Sequence, residues 1–141
     1  MPKQATILGY LGLIPFISLM IHTVLELTIL NTVQASMAFV QYSAIILSFF
    51  GGVHWYQALT EPKNGHQVYV AMLPSIIGWV ALLIFNQKIT LIVLSVSYLL
   101  ILMYDKYYLS LPKDMVIHYT KMRLILTSVV IFTHMMMILK H

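Results

Sequence analysis

The sequence predicts an all-α integral membrane bundle of five transmembrane helices, N-terminus in the cytoplasm and C-terminus outside. Three observations carry the prediction. Hydrophobic residues fill 60% of the 141 positions and charged residues only 9%. The apolar residues form long unbroken runs such as Ile89–Met103. A bilayer core takes about 20 residues of helix to cross, whereas barrel strands would alternate polar and apolar residues, which these runs do not. Finally, the basic residues sort by side. With five spans, Lys3, Lys63, Lys106, Lys113, Lys121 and Arg123 share one face and Lys88 and Lys140 the other. The positive-inside bias then places the first group in the cytoplasm.

The first span is read as Thr6–Leu30. It follows a short tail carrying Lys3, is longer than the apolar part of a signal peptide and lacks a small-residue cleavage pattern, so it is expected to stay as an anchor. The second span is Ser36–Leu59. The third, Val68–Phe85, is short, and only Asn86, Gln87 and Lys88 separate it from the fourth, Ile89–Tyr108, which implies a tight helical hairpin. Tyr104, Tyr107 and Tyr108 beside Lys106 have the composition of an interfacial belt. The fifth span is Tyr119–Leu139. These spans leave room for one transmembrane domain, residues 1–141, and for no soluble module.

Several function classes are excluded by what is missing. Cysteine is absent, which removes disulfides, thiolate nucleophiles and thiolate metal sites. There is no phosphate-binding G-x-x-x-x-G-K-[ST] loop and no H-E-x-x-H zinc helix. The net charge of +4 follows membrane topology and is not a patch interleaved with aromatics, so no nucleic-acid partner is expected. Membrane lipid and a second copy of the chain are the expected partners.

In lipid the informative residues are polar, because an ionisable group near the bilayer centre costs roughly 3 kcal/mol and should face protein or water. Gly12, Pro15, Ser18, His22 and Glu26 fall on one side of the first span if it is helical throughout. Arg123, Thr127, His134 and His141 form a matching stripe on the fifth. If the two spans are neighbours, His22, Glu26 and His134 converge, with ligand types that suit a divalent metal such as zinc or a proton relay. Interhelical hydrogen bonding is the plainer use of such groups. Haem between two histidines is not expected, since no small-residue surface for its ring is identified.

In the second span Ala44, Ser48, Gly51, Gly52 and Trp55 share a face on which another backbone can approach closely, and His54 flanks it. Gly51-Gly52, with Pro15, Pro74 and Gly78, could instead loosen or kink helices. Asp105 ends the fourth span and Arg123 begins the fifth, so an ion pair joining them is expected, with His54 close in depth. A catalytic use of Asp105 as base and His54 as acid would still lack a nucleophile and an oxyanion site. His66 and His118 fall in loops and are expected to be solvated.

The segments Gly9–Phe16 (GYLGLIPF), Leu47–Trp55 (LSFFGGVHW) and Pro74–Trp79 (PSIIGW), with Asp105 and the Tyr119 to Arg123 spacing, resemble a family of small integral membrane proteins of unknown function. This transmembrane-protein-sixty-nine-like family occurs in bacterial inner membranes and has a mitochondrial branch. The resemblance covers almost the whole chain. It implies a five-span inner-membrane protein, puts weight on Gly51, Gly52, His54, Trp55, Asp105 and Arg123, and supplies no activity. His22, Glu26 and His134 lie outside its motif. The expectation is therefore a non-enzymatic, homodimeric structural or accessory protein in envelope maintenance or stress tolerance. The alternative is a dimeric metal-binding or proton-linked transporter.

Overall fold

The computed structural model describes residues 1–140, and among them every regular element is a helix. In chain order these are α1 (Lys3–Leu11), α2 (Ile14–Val24), α3 (Thr32–Thr60), α4 (Gln67–Leu82), α5 (Gln87–Tyr108) and α6 (Lys113–Lys140). Among the described residues four segments are long and apolar enough to cross a membrane: Lys3–Val24, Thr32–Thr60, Gln87–Tyr108 and Lys113–Lys140. α4 has 16 residues, about 24 Å of helical rise. The bundle is inside out relative to a soluble protein, with Leu8, Phe49, Trp79, Leu100 and Ile117 more than half exposed. A continuous apolar exterior of this kind marks a lipid-facing surface.

The break between α1 and α2 follows from Pro15, which has no N–H and whose ring crowds the preceding turn. The missing N–H leaves the Leu11 carbonyl without its helical donor. One residue on, at the break, the Gly12 carbonyl accepts from the Tyr42 hydroxyl of α3 at 2.8 Å, which docks the first segment on α3.

Contrary to the expected span Thr6–Leu30, the helix ends at Val24. The Leu27 N–H donates to the His22 carbonyl at 2.9 Å and the Glu26 N–H to that of Thr23 at 3.3 Å. With Glu26 at φ 55°, this pair of bonds is the Schellman stop, made here without a glycine. Glu26 therefore leaves the helical stripe that carries His22. α3 starts at Thr32, ahead of the expected Ser36, because Asn31 and Gln34 form a capping box. The hairpin between α4 and α5 is tied by Asn86, which caps α5, and by the Thr90 hydroxyl, which donates to the Ala81 carbonyl at 3.0 Å.

Contacts fix the polarity of the bundle. His54 late in α3 meets Gln67 at the start of α4 and Asp105 late in α5, and Asp105 meets Arg123 early in α6. At the opposite end Lys140 meets Glu26. α3 and α5 are thus parallel, and α4 returns the chain between their levels. The core between the ends is aromatic and aliphatic, with Phe16, Phe39, Leu47, Leu94 and Tyr98 almost fully buried.

Candidate functional site

At the end of the bundle that holds the α3–α4 and α5–α6 loops, polar side chains from four helices and one loop form a buried layer. Its centre is Asp105. One carboxylate oxygen lies 2.5 Å from His54 Nε2, and the other accepts from Arg123 Nε at 2.8 Å. His54 is fully buried and Arg123 is 2% exposed. Arg123 Nη1 donates to the Thr127 hydroxyl at 3.3 Å, and the guanidinium lies over the Phe50 ring, 3.7 Å from its centroid. A buried charge is tolerated only when paired and hydrogen-bonded, and this arginine has a carboxylate, a hydroxyl and an aromatic face.

The charge state of His54 is set three links away, by a backbone that has no freedom to invert. The Ser110 N–H donates to Gln57 Oε1 at 3.1 Å, and Gln57 Nε2 donates to the Ser110 carbonyl at 2.5 Å. That fixes the Gln57 amide. Its oxygen then accepts from Gln67 Nε2 at 3.0 Å, which fixes the second amide. The same Gln67 nitrogen lies 3.0 Å from His54 Nδ1, so Nδ1 must be the acceptor. His54 is the neutral tautomer with its proton on Nε2, donated to Asp105. With one carboxylate and one guanidinium, the layer is neutral overall. Both imidazole nitrogens are thus occupied within the protein.

The structure brings together three of the six residues singled out in the sequence motif, His54, Asp105 and Arg123. Gly51 lies on the α4 side of α3, where a Cβ would meet the Ala71 carbonyl oxygen at 2.5 Å. Gly52 and Trp55 depart from expectation. A Cβ on Gly52 would meet nothing within 4 Å, and Trp55 is 40% exposed and outside the polar chain. Successive helical positions differ by about 100°, so the two glycines cannot both face α4. The shared face therefore reduces to Ala44, Ser48 and Gly51, with Ser48 and Ser75 hydroxyls 2.8 Å apart across the α3–α4 contact.

His22, Glu26 and His134 do not converge as expected. Among the described residues no three His, Asp or Glu side chains form a group able to hold a metal. His134 sits between Phe16, Phe39 and Tyr98, its Nδ1 donating to the Val130 carbonyl at 2.6 Å and its Nε2 facing the Ser43 hydroxyl at 2.7 Å. Both nitrogens are used within the protein. His22 Nε2 accepts from the Leu30 N–H at 3.0 Å and pins the loop after the Schellman stop. Glu26 is exposed and pairs with Lys140 at 3.2 Å. His141, the last member of the expected stripe on α6, lies outside the described residues. Replacing His134 with Phe is expected to keep the aromatic packing, strand the Ser43 hydroxyl, and cost about 1–3 kcal/mol. Thermal unfolding in detergent measures it.

Sequence reasoning missed Gln57, Gln67 and Ser110. Gln57 lies three residues after His54, hence on its face, and Gln67 opens an otherwise apolar helix; these were the available signals. His66 is also engaged rather than merely solvated: its Nδ1 lies 2.7 Å from the Tyr104 hydroxyl and its ring packs edge-on against Tyr108. Tyr104 in turn packs against His54, with centroids 4.9 Å apart.

Comparison with known proteins agrees with a membrane protein and names no activity. A protein of Xenopus tropicalis, "Transmembrane protein 69", is 37% identical over 93 residues, which are 63% of this chain and 36% of that protein. The chain thus spans about a third of the length of that relative. No solved structure matches. The family described as "Protein of unknown function (DUF3429)" matches residues 1–139, and the chain belongs to it.

Proposed function

We propose that the protein is a non-enzymatic structural or accessory component of the bacterial inner membrane, acting in envelope maintenance or stress tolerance as a homodimer. The observation that carries this reading is how the polar layer is joined. Both His54 nitrogens, both Asp105 oxygens and the Arg123 Nε, on residues with the chemistry for catalysis or transport, are spent on joining α3, α4, α5 and α6.

The same reading gives the chain five spans, with α4 as a short fifth crossing. α3 and α5 are parallel, so a segment between them must return across the same thickness. The end of the bundle that bears the polar layer also bears Lys3, Lys63, Lys106, Lys113 and Lys121, which favours a cytoplasmic position for it. For the dimer, the open side of α3 around Gly52 is the face we assign, a face with room for a methyl group at that position.

The test compares stability with function. His54→Ala leaves one Asp105 oxygen and one Gln67 N–H without their partners, and is expected to lower the melting temperature in detergent, with cellular complementation falling in proportion across a series of layer variants. A layer variant with wild-type melting and no complementation would sink the reading and restore a chemical role for the layer.

A further inference from the structure

We propose that the cleft between α5 and α6, beside the polar layer, binds the phosphate group of a membrane phospholipid through the Arg123 guanidinium and the Lys106 ammonium. The starting point is an incomplete guanidinium. Arg123 Nε serves Asp105 and Nη1 serves Thr127, but Nη2 is buried with no partner. A buried donor left unpaired is costly, more so on a charged group.

Arg123 lines a cavity of about 60 Å³, together with the polar residues Asp105, Lys106, Tyr119 and Thr120. A single water takes about 10–15 Å³ on this scale, so the space suits a group of roughly four or five heavy atoms, the size of a phosphate. The charges also fit. Asp105 lines the cavity, but each of its oxygens is already hydrogen-bonded, one to His54 and one to Arg123. With Asp105 balancing Arg123, Lys106 leaves one positive charge in excess, matching the single negative charge of a phosphodiester.

The remaining lining favours a lipid over a free ion. Leu109, Val116 and Leu124 border the cavity, and Val116 and Leu124 are exposed on the outer surface of the bundle. Lys106 lies two residues before the end of α5, and Thr120 lies seven residues after the start of α6. The cavity is therefore near the ends of two membrane helices, at the level where headgroups sit, and basic pockets between such helices are suited to lipid headgroups.

The test uses the full-length protein, with Lys106→Ala and Thr120→Leu as variants. Neither residue belongs to the hydrogen-bond chain from Ser110 to Thr127, so the layer is kept while the cavity loses a charge or is filled. Native mass spectrometry with phosphatidylglycerol and with diacylglycerol of the same chains measures retention, and melting temperature is followed in parallel. The wild type is expected to retain one phosphatidylglycerol in preference to diacylglycerol, Lys106→Ala to retain it roughly tenfold more weakly, the effect of losing one charged contact, and Thr120→Leu to retain it at least as weakly, because the added bulk occupies the space of the phosphate. Equal retention of the two lipids, or wild-type retention in both variants, would overturn the site. Inorganic phosphate raising the melting temperature as far as phosphatidylglycerol does would overturn the assignment to lipid.

Discussion

Asp105→Ala is expected to destabilise the protein by about 3–5 kcal/mol, the loss that follows when one partner of a buried ion pair is removed. The substitution leaves the Arg123 guanidinium at 2% exposure without its carboxylate, and strands the proton on His54 Nε2. Arg123→Ala is expected to cost a similar amount, since Asp105 then keeps only His54. The pair itself need not be worth that much. Taking two charges out of water is expensive, and a well-packed apolar pair of similar volume is often neutral or stabilising. Asp105→Leu combined with Arg123→Met is therefore expected to recover most of the loss, with the His54 donor the main remaining defect. The unfolding free energies of the wild type, Asp105→Leu, Arg123→Met and the double variant form a double-mutant cycle. A strongly favourable coupling would mark the layer as structural. If Asp105→Ala instead melts like an exposed control such as Lys113→Ala, the pair carries no load in the membrane.

The ion pair could be anticipated from sequence because Asp105 and Arg123 fall on spans joined by a short loop, and charges at one membrane edge have few other partners. His54 could be placed at the same depth by counting residues. The amides could not. Gln57 and Gln67 are neutral, and nothing local says that the backbone of Ser110 sets the orientation of both. His22, Glu26 and His134 do not meet, for two separate physical reasons. The spacing of His22 and Glu26 put them on one face only if the helix continued, and the Schellman stop that ends it uses Glu26 at φ 55° where glycine is the usual signal. His134 was placed at a suitable depth, but helical periodicity does not say which helix a side chain will meet, and its partner is Ser43 of α3. The Pro15 break, by contrast, was legible, since a missing N–H is a property of the residue and not of its neighbours.

Gly51→Ala is expected to separate α3 from α4, while Gly52→Ala is harmless or stabilising. The two positions are adjacent, in the same helix and of the same residue type, so helix propensity favours alanine at both by about 1 kcal/mol. Space decides between them. At Gly51 the new methyl would sit 2.5 Å from the Ala71 carbonyl oxygen, with the Pro74 ring at 3.2 Å and 3.3 Å on its other side. A backbone oxygen cannot rotate aside as a side chain can, and Pro74 stiffens the turn that carries it. The helices must therefore move apart, and overpacking of this kind costs about 1–3 kcal/mol, occasionally more. The damage should spread. Gly78 makes the reciprocal approach, with a Cβ there 3.2 Å from the Ala44 carbonyl oxygen, and the Ser48–Ser75 pair and the His54–Gln67 bond span the same two helices. Gly78→Ala, whose closest contact is longer, is expected to fall between the two. Melting temperatures in detergent should run from Gly52→Ala at or above wild type, through Gly78→Ala, to Gly51→Ala. Equal melting of the Gly51 and Gly52 variants would mean that α3 and α4 are not held in backbone contact, and that the polar layer at their ends is assembled without it.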